Sequence, residues 1–500
     1  MRCSLENRVL LQPHDVMREI ADDFAPGIER AFALTPTERC YPIDQVEGNV
    51  PSFVQGSYYL NGPARFVRGG FHYRHWLDGD GMVCSLRFED GRIEFANRFI
   101  RSEKFAAEEQ AGRPIFRTFG TTFPSDRLKC GVALESAVNV SIYPYNGSLL
   151  AFGEQGLPWE LDPVTLETCG KFTFGGYLND LSPFAAHPKF DPTTGEMFNF
   201  GVAFSPRQPM LNLYRFDHAG NQIYRKRHPL PFACSVHDFS VSARYAVFYL
   251  NPYIVNMEAL LRDGCSLMDS LDWEPERGCW LLVISRERGE RVALVPLGGR
   301  YCLHQINCFD EGENLTVDVV ELERPIYDQY QIFNLFTDVA EGHPVRLVLE
   351  PKSGHLSASH RIDYKLAPDF PTTDPRRVTQ PYRDFWMLGI SETGRSGRKF
   401  FDQLVHADWT KKGPQDVYQS PPMQYLGAEP IFVPNPRAER AGVVICQVFD
   451  AASMTSAFAL FDALAVAKGP IATLRLKAPI HFGFHASFSR LGRGLRLLGS

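Results

Sequence analysis

Four of the fourteen histidines share a local setting that suits metal chemistry. His187 precedes the turn DPTTG (Asp191–Gly195) and the run EMFNFG, and His237 precedes a turn around Ser242–Arg244 and the run YAVFYL. His304 precedes DEGEN (Asp310–Asn314) and LTVDVV, and His485 precedes LGRG (Leu491–Gly494) and LRLL. Each stands a few residues before a hairpin turn. An imidazole-only site suits iron, copper, nickel or zinc by ligand type, and geometry must decide between them. Four nitrogens leave two open positions on an octahedral ion, room for O2 and either water or a substrate group. Hydrogen-bonded core histidines are the structural alternative. His14, His218, His228 and His343 sit beside turns, prolines or a helix start, where solvation or capping accounts for them.

The elements that must position these rings are short and β-rich. Hydrophobic residues make up 44% of the 500, and Phe 38, Tyr 19 and Trp 6 give an interior of β-prone aromatics. Asp90-Gly91 between Ser85–Glu89 and Arg92–Ala96 reads as a hairpin, because that dipeptide supplies the positive φ a two-residue turn demands. Asn146-Gly147 ahead of Ser148–Gly153 is a second. Tyr245–Leu250, Trp280–Ser285, Arg291–Leu297, Leu315–Leu322, Pro344–Leu349 and Gly442–Phe449 continue the strands, at intervals too short for βαβ crossovers. A sandwich pair, a large barrel and a β-propeller fit this all-β pattern, and size favours the propeller at roughly 70 residues per blade. Its inner strands converge on one axis, which would gather histidines distant in sequence. No linker composition divides the chain, so residues 1–500 read as one domain with residues 1–45 as a lead-in. A short helix is expected within His14–Phe32, interrupted at Pro26. Asn251–Glu276 is the least regular stretch and includes the amphipathic Ile254–Leu261.

A net charge of -6 without a long basic run argues against nucleic acid as a partner. Eleven scattered cysteines with no C-x-x-C pair point to reduced thiols and a cytoplasmic setting. The N-terminus has no apolar stretch of signal-peptide length, and Asp462 breaks the apolar Ser453–Ala467, so no membrane span is expected.

The sequence around the histidines resembles the carotenoid cleavage oxygenases, nearly throughout from Gly56 onward. Ten ordered blocks carry the resemblance: GSYYLNGPARF (Gly56–Phe66), HWLDGDGMV (His75–Val83), ANRFIRS (Ala96–Ser102), LLAFGEQGLPWELDPVTLET (Leu149–Thr168), AHPKFDPTTGEMFNFG (Ala186–Gly201), VHDFSVS (Val236–Ser242), LHQIN (Leu303–Asn307), DFPTTDP (Asp369–Pro375), AEPIFVPNP (Ala428–Pro436) and GFHASF (Gly483–Phe488). The resemblance implies a seven-bladed β-propeller with a helical cap and loops over its top face. It implies Fe(II) held by His187, His237, His304 and His485, with no ligand at His481. Glu154 and Glu429 match two of three glutamates that hydrogen-bond ligand imidazoles in the family. The third position, usually Glu-Phe-Pro, is here Asp369-Phe370-Pro371. One methylene shorter, this side chain is expected to bond at longer range, through water, or after a backbone shift. HWLDGDGMV lacks the third alternating ligand and terminal glutamate of a calcium loop, and is expected to be a blade element turning at Asp78–Gly81.

The implied activity is oxidative cleavage of a conjugated double bond in a carotenoid or apocarotenoid, with O2, to two carbonyl products. Stilbene-cleaving relatives typically carry a lysine near the stretch that reads here LESAVNVSIY (Leu134–Tyr143), which has none, so a lipophilic polyene is the expected substrate. A stilbene or phenylpropanoid dioxygenase with the same iron centre is the alternative, and a non-catalytic carotenoid-binding propeller a further one. Asn251–Asp272, with Tyr253, Ile254, Val255, Leu260 and Leu261, is either an apolar rim for peripheral membrane contact or a helix packed on the propeller face.

Overall fold

Seven antiparallel sheets stand around a common axis in the computed structural model, which describes residues 22–204 and 208–490. The molecule is a seven-bladed β-propeller, mostly strands with few helices. In blades 2 to 6 the first strand in sequence lies innermost: Ser141–Tyr145, Lys189–Phe190, Phe239–Val241, Tyr301–Glu311 and Asp369–Thr373. Gln424–Pro434 is the inner strand of blade 7, and inner strands of neighbouring blades touch one another.

The ring closes by exchange of chain ends. Blade 1 takes Ala486–Ser489 as its inner strand, paired antiparallel with Gly56–Pro63, and blade 7 takes Val46–Gly48 as its outer strand, paired with Pro470–Arg475. Two turns follow from residue type. Asp90 and Gly91 have φ 50° and 77°, and Asn146 and Gly147 have φ 46° and 83°, the left-handed pair that two-residue hairpins require. Interleaved side chains weld the blades together. Phe198, Phe200 and Leu213 of blade 3 meet Phe239, Phe248 and Ile284 of blade 4, and each such burial contributes about 1.5–3 kcal/mol relative to exposure.

Loops, hairpins and short helical segments connect the strands. The expected lead-in helix shrinks, among the described residues, to Glu29–Phe32; residues 14–21 lie outside them. Pro26 and Gly27, the latter at φ 78°, turn the chain just ahead of it, and Ala31 and Phe32 are buried. In Asn251–Glu276, helix Met257–Leu261 sits between the paired strands Tyr253–Val255 and Leu271–Trp273. Leu260 faces inward at 5% exposure while Leu261 is 39% exposed, so the two leucines do not share a rim. The turn LGRG expected after His485 lies outside the described residues. No described helix is long and apolar enough to cross a membrane.

Candidate metal centre

Each of the seven blades sends one residue to the axis. Blades 1, 3, 4 and 5 supply His485, His187, His237 and His304; blades 2, 6 and 7 supply Glu154, Asp369 and Glu429. His187, His237 and His485 stand just ahead of their inner strands. Within the inner strands, His304 sits in a register shift between Cys302 and Gln305, and Glu429 in one between Gly427 and Ile431. Asp369 opens a third shift, which ends at Thr372. Such bulges re-aim a side chain that regular alternation would send elsewhere. Phe370 and Ala428 accept positive φ of 51° and 61° beside the two carboxylates, strain concentrated where the side chains must converge.

All four rings are buried, and one nitrogen from each lies within 4.8 Å of the others. His187 Nε2 and His237 Nε2 are 2.9 Å apart. Two nitrogens about 2.1 Å from one ion at right angles stand about 3.0 Å apart, so this spacing suits neighbouring ligands of a single octahedral ion. His304 Nε2 is buried without a hydrogen-bond partner, a polar atom that a metal would satisfy. The donor set therefore fits a transition metal.

The carboxylates fix the tautomers. His237 Nδ1 lies 2.9 Å from Glu154 Oε1, His304 Nδ1 lies 2.5 Å from Asp369 Oδ1, and His485 Nδ1 lies 3.3 Å from Glu429 Oε2. An Nδ1–H donated outward leaves the Nε2 lone pair facing the axis and raises its basicity. Of the three alternatives expected for the shorter Asp369, the contact is neither long nor water-bridged: it bonds its imidazole directly, at the smallest of the three separations, from the register shift in its strand, as a backbone adjustment would allow. Its Oδ1 also accepts the Phe370 N–H at 2.8 Å, which seats the carboxylate at the bulge.

Burial opposes charge on His187, His237 and His485. His187 and His485 fall well below the ordinary histidine pKa through burial and the neighbouring imidazoles. At His237 burial is outweighed by the Glu154 carboxylate, and its pKa rises. Burial lifts Glu429 to about 7, while at Asp369 burial is overcome by His304 and the carboxyl lies below its usual range.

Two tyrosines escaped the sequence reading. Tyr327 Oη lies 3.1 Å from His237 Nδ1, and the Tyr330 O–H donates to Asp369 Oδ2 at 3.3 Å. The Tyr-x-x-Tyr spacing in one helical turn was the available signal. Tyr327 and Glu154 also line a narrow cleft whose other walls include Phe119, Phe200, Val202, Val255 and Leu271. The cleft thus reaches the groups that bind His237.

Two other expectations concern nearby residues. His481 is buried but outside the cluster. Asp78 and Asp80 serve the fold: Asp78 accepts the Gly120 N–H at 2.8 Å, and Asp80 lies 2.9 Å from Lys104 and 2.5 Å from Arg68.

A propeller with four imidazoles on its axis defines a class of metal-dependent oxygenases, and the comparisons agree. The family model described as retinal pigment epithelial membrane protein matches residues 32–490, and the chain belongs to that family, the carotenoid cleavage oxygenases. Apocarotenoid-15,15'-oxygenase of Synechocystis sp. is 28% identical over 477 residues, 92% of this chain and 96% of the relative. Isoeugenol monooxygenase of Pseudomonas putida is 28% identical over 453 residues, 88% of this chain and 93% of the relative. The crystal structure of the cobalt-substituted Synechocystis enzyme superposes with a TM-score of 0.85 at 26% identity, covering 94% of this chain and 100% of that one.

Proposed function

We propose that this chain is a non-haem iron(II) dioxygenase that cleaves a conjugated double bond of a carotenoid or apocarotenoid into two carbonyl fragments. The observation that carries the reading is the convergence of four buried imidazoles, one of which, His237, is bonded by Glu154 and Tyr327 on the wall of a cleft that also carries Phe119, Phe200 and Phe204. His187, His237, His304 and His485 hold the ion, and Glu154, Asp369 and Glu429 orient three of them. Bound iron(II) supplies the activation of O2. The chain's own task is to seat one double bond beside the ion, keep water sparse and hold the rings still. The carbon–carbon double bond breaks, each carbon gains one atom of O2, and no net proton is needed. Accordingly the cleft wall is poor in acid–base groups beyond Glu154 and Tyr327. None of its described residues is a lysine or arginine that could fix a phenolate, which favours a polyene.

Cleavage of a phenylpropanoid or stilbene is the second reading, favoured by the Tyr327 hydroxyl at the cleft and by the likeness to isoeugenol monooxygenase. The deciding experiment loads the protein with iron anaerobically and adds labelled O2 with β-apocarotenals, isoeugenol or hydroxystilbenes, with products read by mass spectrometry. Cleavage of an apocarotenal with one label in each fragment is expected. Products from phenolic substrates alone would install the second reading, and no product from any would overturn both. A lipophilic substrate must also leave a membrane or lipid particle, and Leu261, exposed on the helix beside the cleft-lining Val255 and Leu271, is the contact we assign. Leu261→Glu should weaken flotation with vesicles; unchanged flotation would refute the contact.

A further inference from the structure

One imidazole of the four has no carboxylate bonded to it. His187 Nδ1 lies 4.0 Å from Asp238 Oδ1, against 2.9, 2.5 and 3.3 Å for the other three pairs. Asp238 directly follows His237 and is 5% exposed. Three groups hold its carboxylate: Oδ1 accepts the Phe239 N–H at 2.8 Å, Oδ2 accepts the Gln305 N–H at 2.8 Å, and the Lys189 ammonium lies 2.7 Å from Oδ1. Lys189 is two residues past His187, and Gln305 is one past His304. Three ligand-bearing segments therefore converge on this one acid.

We propose that Asp238, its charge compensated by Lys189, is the positioning residue of His187, and that this pair sets the electrostatic balance of the metal centre. The proposal rests on reading the four histidines as ligands of one ion. A carboxylate at Nδ1 raises the donor strength of a metal-bound imidazole. An acid already paired with an ammonium does so less, so His187 is the weakest donor of the four. Closing 4.0 Å to hydrogen-bond distance takes a shift of about 1 Å, within reach of a ring rotation. Lys189 and Asp238 thus act as opposed charges beside one ligand: removing the first leaves a net anion near the ion, and removing the second a net cation.

The test uses Lys189→Met and Asp238→Asn in the full chain. The midpoint potential of bound iron is followed by the electron paramagnetic resonance signal of the ferric form, and Co(II) affinity by its visible bands. Lys189→Met should lower the potential and Asp238→Asn should raise it, with Co(II) affinity in the latter down about tenfold or more and partly restored by Asp238→Glu. A purely structural Asp238 would leave the potential where it was, and potentials unmoved or moved in the same direction would overturn the inference. Should Asp238→Asn fail to fold, since it holds two backbone amides, Lys189→Met decides alone: an unchanged potential sinks the inference. Wild-type protein that takes up neither iron nor cobalt would sink the metal reading itself. Loaded wild type with unmoved variants would sink only the Lys189–Asp238 pair.

Discussion

Two of the clusters of buried ionisable side chains in this molecule end their valences differently. In helix Glu103–Ala111, Lys104 is 0% exposed and lies 2.9 Å from Asp80 and 2.8 Å from Glu108, while Arg68 reaches Asp80 at 2.5 Å. Glu108 also accepts the Ile115 and Phe116 N–H groups and the Tyr73 hydroxyl. Charge meets charge, and the network pins helix Glu103–Ala111 to Arg68 and Asp80 and to the loop that follows it. On the axis, four rings bring nitrogen toward nitrogen, and His304 Nε2 has no partner. Carboxylates satisfy the outer nitrogens of three rings and leave the inner ones converging on a point. A buried network that closes on itself holds structure; one that converges on unfilled valences is arranged for a guest.

Mutation can break that contrast. The largest effect is expected at His304→Ala, which should cut iron per folded chain at least about tenfold and abolish turnover with little change in thermal stability of the metal-free protein. Elemental analysis beside calorimetry checks this, and normal iron content would end the contrast. Lys104→Met should do the reverse. Stranding Asp80 and Glu108 without their cation costs about 3–5 kcal/mol of stability, measured by denaturant unfolding, while iron per folded chain stays at the wild-type level. Next comes Asp369→Asn, expected to weaken Co(II) binding by about tenfold to a hundredfold. Asp369→Glu, the residue usual in the family, should bring no gain, because the bond is already 2.5 Å; tighter cobalt binding would show that the aspartate reaches poorly.

A pH-dependent effect separates clustered from solitary imidazoles. His481 is buried away from the axis, and burial lowers its pKa to about 3. Its folded pKa lies below the unfolded value near 6.5, so the unfolded chain takes up the proton first as pH falls. The contribution to stability is whole above about pH 6.5 and declines toward pH 3, by up to about 1.4 kcal/mol per pH unit. His481→Phe should flatten unfolding free energy against pH in that window while cobalt uptake is unchanged. A slope identical to wild type would mean the ring is hydrated.

What could be read from the sequence was local. Asp90-Gly91 and Asn146-Gly147 dictate their own hairpins, since few other residues accept two successive positive φ angles. The setting before a turn brought out the four ligand candidates, and a hairpin turn does follow His187, His237 and His304, while the turn expected after His485 lies outside the described residues; the family blocks then supplied Glu154, Asp369 and Glu429. What escaped depends on contacts between blades. Tyr327 comes from the loop between the second and third strands of blade 5 yet meets a ring from blade 4, a partner that its Tyr-x-x-Tyr spacing does not specify. Leu260 and Leu261 are equally apolar, and only the packing of one helical turn buries the first and exposes the second. The reach of Asp369 could not be judged from side-chain length, since the bulge after it decides where the carboxylate sits.

Exchange of chain ends has a consequence for the order of assembly. His485 adjoins Ala486–Ser489, the strand that completes the first blade, so the fourth imidazole emerges from the ribosome about 180 residues after the third. A nascent chain carries three ligands on an open crescent and cannot encircle an ion until its tail returns to its beginning. A metal gripped by all four rings can therefore be held only after synthesis reaches this strand, and holding it would seal the finished ring.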